Sequence, residues 1–220
     1  MTSCSFLIAL YTVIAHLFWK IKKGPIIHAT NLPHVLLTFD DGPNPIYTPA
    51  LLDLLKQYNI KATFFLVAKR AEQYPELVQR IQQEGHTIGI HHYTHKHSFF
   101  LTPLLLKYEL KKAKNRLEQL TNSSITLYRP TYGHLNAATI PIARSLNLSI
   151  MLWSNHFGDW KAKNGNEQMY EQFLRMDKPG AIYLLHDDGS NFGADHDAPS
   201  FMLKQLARYL DEKNMQNKKM

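Results

Sequence analysis

A chain of 220 residues, 45% hydrophobic and 20% charged, carries enough apolar material for one domain with a substantial core, and its mixed composition excludes a wholly disordered or fibrous protein. A single cysteine, Cys4, excludes an intrachain disulfide and a cysteine-rich zinc site, so any transition metal must be held by carboxylates and by some of the 12 histidines. The formal charge of +7 comes from lysines scattered along helical patterns or gathered at Lys20, Lys22, Lys23, Lys218 and Lys219; this reads as a solvated basic surface and not as a nucleic-acid face.

The first 19 residues contain no Asp, Glu, Lys or Arg, and Phe6 to Trp19 is apolar apart from Thr12 and His16. A spanning helix needs about 20 apolar residues, whereas a secretory signal opens on basic residues and closes on a small-x-small cleavage site. Both signal features are missing, so residues 1-23 are expected to form a retained anchor on a membrane of the cell envelope. A cleaved signal and an amphipathic helix packed on the domain are the alternatives. Lys20, Lys22 and Lys23 follow the apolar run, which favours a cytoplasmic position for what comes next.

From His34 onward short apolar runs alternate with helical periodicity. Strands are expected at Val35 to Phe39, in "KATFFLV", in "HTIGI", at Ile125 to Arg129, at Leu148 to Trp153 and at Ala181 to His186. Thr48-Pro49 and Thr102-Pro103 pair a capping residue with a first-turn proline. They open helices, the second running to about Leu120, and Pro75 opens another that ends near Gly85. Further helical patterns cover Asn136 to Leu146, Asn166 to Arg175 and Ser200 to Glu212. This alternation predicts an α/β fold with a parallel sheet whose chemistry gathers at the C-terminal ends of its strands.

The residues that end these strands bear this out as a pattern. The first delivers the adjacent pair Asp40 and Asp41, "HTIGI" delivers His91 and His95, and later strands deliver Arg129, Asp159 and His186. His91 and His95 are four apart, a spacing that places two imidazoles on one face of a helical turn. With one carboxylate they make a three-ligand site with open positions, as a catalytic metal requires. If Asp41 is the ligand, Asp40 stays ionised beside the cation and is free to act as a general base. Gly42 and Pro43 would form the turn that holds both. The stretch at residues 187 to 197, "DDGSNFGADHD", reads either as a loop over the groove or as a solvated connection.

With these residues in view the chain resembles the polysaccharide deacetylase family, the NodB-homology carbohydrate esterases of family four. "TFDDGP", "GHTIGIHHYTH", "YRPTYG", "WSNHFGDW" and "IYLLHD" are similar to its five motifs, in order, within a match from about Val35 to Leu210. The resemblance implies a distorted (β/α) barrel of about seven units over residues 34-212, followed by a polar basic tail at 213-220. It implies a divalent metal, zinc before cobalt, nickel or manganese, on Asp41, His91 and His95. Asp40 becomes the base and His186 the acid. Arg129 pairs with Asp40, Asp159 holds His186, the Tyr132 amide helps bind the oxyanion, and Pro130, Trp160 and Leu184 belong to the substrate-binding surface, the last two lining a slot for the acetyl methyl.

The implied reaction is removal of N-acetyl groups from amino-sugar glycans, in chitooligosaccharide, peptidoglycan or a lipid-linked glycan, by a monomer. An O-acetyl esterase and a catalytically silent glycan-binding member are the alternatives. Thr131, His156, Ile90 and His92 depart from the usual motif residues; none of them is a proposed ligand, base or acid.

Overall fold

The computed structural model describes residues 26–217. The apolar segment at 1-23 and its expected role as an anchor lie outside them. Eight strands form one sheet: β1 (Ile26–Ile27), β2 (Leu36–Asp40), β3 (Thr63–Leu66), β4 (Thr87–Ile90), β5 (Leu127–Tyr128), β6 (Ser149–Met151), β7 (Asn155–His156) and β8 (Ile182–His186). Their spatial order is β1-β6-β5-β4-β3-β2-β8-β7, and every adjacent pair is parallel. This is the expected α/β architecture, a curled half-barrel whose two edge strands, β1 and β7, are not paired with each other.

The strands are nearly continuous apolar runs because both faces are covered. Along β2, Leu37 and Phe39 join Phe64, Leu66, Tyr183 and Leu185 in the large core between sheet and helices. Leu36 points the other way and packs with Phe65, Met151 and Ile182 in a smaller concave cluster. Side chains two apart share a face, so Asp40 lies on the concave side with Thr38.

Helices α1 (Tyr47–Gln57), α2 (Ala68–Gln73), α3 (Pro75–Gln83), α4 (Pro103–Thr121), α5 (Thr139–Ser145), α6 (Glu167–Met176) and α7 (Ala198–Asn217) follow the expected order. Only α2 is an addition. The signals that end α4 are local: the Thr102 hydroxyl accepts from the Leu105 amide at 3.4 Å, Pro103 occupies the first turn, and Asn122 stops the helix in a left-handed conformation with φ 49°. α7 continues to Asn217 instead of stopping near Glu212, and Lys213 Nζ sits 2.5 Å from Asp177 Oδ2. β5 is shorter than the expected Ile125 to Arg129, although the Arg129 amide still donates to the Ile90 carbonyl of β4 at 2.9 Å. No helix among the described residues is long and apolar enough to cross a membrane.

Candidate active site

Register sets the site. Asp40 is paired with His186 across β2 and β8, and Leu66 with Ile90 across β3 and β4, so the polar strand ends fall on one C-terminal edge. Asp40, Asp41, His91, His95, Tyr132, Trp160, Leu184 and His186 line a single cavity of about 350 Å³. Pro130, grouped with them on sequence grounds, is buried and does not line it.

The adjacent carboxylates reach the same cavity through a break in strand alternation. Neighbouring residues of a strand face opposite sides. Asp41 has φ 81°, a conformation that Asp tolerates better than most residues, and this turn brings its side chain round beside that of Asp40. Gly42 next to it has no alternative, since a Cβ there would lie 2.3 Å from Asp187 Oδ2.

His91 and His95 converge as expected, though not on a helical turn. Residues 91–97 form no helix; His92 and His95 both take positive φ, 65° and 53°, and this kinked loop brings the two imidazoles to ring centroids 5.1 Å apart. Nε2 of His95 lies 2.9 Å and Nε2 of His91 3.4 Å from Asp41 Oδ1. Ligand atoms of the three residues fall within 4.8 Å of one another. Asp41 Oδ1 is buried and has no aligned hydrogen-bond donor among the described residues. A buried carboxylate oxygen without a donor, facing two imidazole nitrogens, fits a cation. His91 Nδ1 lies 2.8 Å from the Arg129 carbonyl oxygen, a contact that orients the ring and would leave Nε2 free to bind a cation. Burial alone would raise the Asp41 carboxyl, but the imidazoles of His91 and His95 and the charge of His186 hold it well below the usual range.

Asp40 and His186 are each held by a partner. Arg129 is fully buried; Nη1 donates to Asp40 Oδ1 and to Thr38 Oγ1, both at 2.7 Å, while Nε and Nη2 donate to the carbonyls of Met151 and Leu152. The ring of Phe65 lies 4.1 Å from its guanidinium carbon. Burial lowers the guanidinium pKa, and the Asp40 charge opposes that shift. Across the cavity wall, Asp159 accepts from the His186 amide at 2.7 Å and contacts its ring Nδ1 at 3.0 Å. Burial would depress the His186 pKa, yet Asp159, with further help from Asp41 and Asp40, pushes it up to about 10. Trp160 stands edge-on to that ring at 5.6 Å, and His156 lies 6.0 Å beyond Trp160.

Several supports escaped the motif reading. The first amides of α2, at Ala68 and Lys69, donate to the carbonyls of His92 and Tyr93, and Glu109 of α4 accepts from the amides of Tyr93 and Thr94. Glu109 had a visible signal: a carboxylate on the apolar face of Leu106, Leu110, Ala113 and Leu117. Thr131 and His92, two of the departures from the motifs, belong to one buried network. The Thr131 hydroxyl donates to the Lys96 carbonyl at 2.7 Å and lies 3.2 Å from Ser98 Oγ, which lies 3.1 Å from His92 Nε2; that nitrogen is 2.7 Å from the Tyr128 hydroxyl. Asp187, anchored by the Thr48 hydroxyl and the Gly42 amide, is pushed up to about 7 by burial.

Comparison with known proteins identifies the family and the fold. The family model described as polysaccharide deacetylase matches residues 28–151. A peptidoglycan-N-acetylglucosamine deacetylase of Bacillus cereus is 36% identical over 159 residues, 71% of this chain and 74% of that protein. A peptidoglycan-N-acetylmuramic acid deacetylase of Bacillus subtilis is 34% identical over 155 residues, 69% of this chain but only 59% of that protein. The crystal structure of a peptidoglycan N-acetylglucosamine deacetylase in complex with a naphthalenyl N-oxidanyl-benzamide superposes with a TM-score of 0.78, at 30% identity and 91% coverage of both chains. With a family model spanning more than half its length and the motif residues assembled around one cavity, the chain belongs to the polysaccharide deacetylase family.

Proposed function

We propose that the protein is a metal-dependent deacetylase that hydrolyses N-acetyl groups of amino-sugar glycans. The observation that carries this is the convergence of Asp40, Asp41, His91, His95 and His186 on one cavity. Asp41, His91 and His95 would hold the cation, and two imidazoles with one carboxylate suit zinc first. A divalent cation there would supply Lewis-acid polarisation of the acetyl carbonyl and make water easier to deprotonate. Asp40, oriented by Arg129, takes the proton from the attacking water. The Tyr132 amide donates to the developing oxyanion. His186, held by Asp159, gives its ring proton to the departing nitrogen, while Trp160 and Leu184 enclose the methyl group. Acetate and a free amine are the products.

Acetate release from peptidoglycan fragments and chitooligosaccharides, with and without a chelator, tests the reading. Chelator-sensitive release from N-acetyl sugars is expected; release confined to O-acetyl sugars would move the reaction to the ester. Membrane attachment through residues 1-23 belongs to the same proposal and is supported by the apolar run from Phe6 to Trp19 and by Lys20, Lys22 and Lys23 after it. Protease accessibility in spheroplasts checks the side, since a cytoplasmic domain excludes mature wall polymer as the direct substrate.

A further inference from the structure

We infer that Phe192 is the stacking platform for the sugar ring next to the one that carries the acetyl group, and that Arg70 is the positioning residue that holds it there; this rests on the glycan reading above. The cavity, about 350 Å³, is near the small end of ligand pockets, which run from about 300 to 1,000 Å³. It accommodates the acetylated ring, and a chain of sugars must leave past the rim. Two aromatic side chains lining the cavity are open to solvent: Tyr132, 42% exposed, and Phe192, 96% exposed.

Single exposed aromatics are ordinary on protein surfaces. Phe192 differs because it lines the cavity on a loop that is fixed at both ends. On one side Arg70 Nη2 donates to Ser190 Oγ at 2.7 Å and to Asn191 Oδ1 at 2.8 Å, and Nη1 lies 3.1 Å from Asp188 Oδ1. The same guanidinium donates to the carbonyl oxygen of Asp41 at 2.6 Å, tying this loop to a metal-ligand residue. On the other side the Asp195 amide donates to the Trp160 carbonyl at 2.9 Å, and the Asp195 carboxylate binds Lys161 and the Ala162 amide. The two ends touch: a Cβ on Gly189 would lie 2.4 Å from the Asp195 carbonyl oxygen. A loop braced in this way holds the Phe192 backbone at the cavity rim and leaves its ring open to a ligand. The negative face of an aromatic ring attracts the C–H-lined face of a pyranose.

The test uses zinc-loaded Asp40→Asn protein, which binds its ligand without consuming it, titrated calorimetrically with N-acetylglucosamine and with tetra-N-acetylchitotetraose. In that background Phe192→Ala is expected to weaken the tetrasaccharide about tenfold, with a several-fold smaller loss on the monosaccharide, and Phe192→Trp to restore binding. Arg70→Ala, at equal zinc content, should weaken the tetrasaccharide similarly, and the double variant should be no weaker than either single one. Equal losses on both sugars, or a parent protein that binds the tetrasaccharide no tighter than the monosaccharide, would overturn the platform. Additive losses would overturn the role of Arg70. If the wild type released no acetate from the tetrasaccharide while Phe192→Ala kept its chain-length-dependent loss, the reaction would fall and the platform would stand.

Discussion

Arg129 Nη1 meets Asp40 Oδ1 at 2.7 Å with both side chains withdrawn from water. The guanidinium comes from the chain just past β5 and the carboxylate from the end of β2, so the pair spans the concave side of the sheet. Removing one member leaves the other charge buried and unpaired, which costs about 3–5 kcal/mol. Arg129→Ala is therefore expected to lose stability of that order in urea denaturation, as well as activity. A variant as stable as the wild type would show that the pair is not a buried charge couple.

Asp40 and Asp41 are adjacent but should fail differently. Asp40→Asn is expected to retain bound metal and lose about 10²–10⁴ in kcat. Asp41→Ala removes the carboxylate nearest both imidazoles, so metal content measured by elemental analysis should collapse along with turnover. Equal metal loss in the two variants would contradict the division of roles.

The His186–Asp159 contact predicts a pH dependence with a definite sign. In the metal-free protein the histidine, whose ordinary value is 6.5, is raised to about 10. The fold thus favours the protonated ring. Its contribution to stability is fully present below pH 6.5 and is lost as pH rises to about 10. Asp159→Asn should bring the ring titration, followed by NMR, down toward 6.5 and flatten stability across that window. In the active enzyme it should move the alkaline limb of the pH–kcat profile to lower pH, because the acid must be protonated to donate. A limb that stayed in place would exclude His186 as the proton donor.

Thr131 braces the loop that carries His95 against the turn that carries Tyr132, through the Lys96 carbonyl and Ser98. Thr131→Val keeps the shape but leaves those buried groups short of a partner, at a cost of about 1–3 kcal/mol. Thermal denaturation should record that loss, kcat should fall with it, and Thr131→Ser should recover both. A valine variant with wild-type turnover would make the network irrelevant to the site.

The cap at Thr102, the proline-led helix starts and the apolar strands were legible in the sequence because each depends on neighbours within a few residues. The five motifs likewise brought forward Asp40, Asp41, His91, His95 and His186, which the fold gathers on one cavity, since family identity is carried by residue type and spacing. How His91 and His95 meet was not legible. Spacing suggested a helical turn, whereas left-handed residues at His92 and His95, held by amides of α2 and by Glu109, bring the imidazoles together. Nor could sequence order place Arg70 on both the Asp41 carbonyl and the loop before Phe192, about 120 residues downstream. Residue types and local periodicity determined the chemistry at each strand end. Strand order, register and the curl of the sheet decided which strand ends face one another, because contacts between distant residues depend on the packing of the whole core and not on any local pattern.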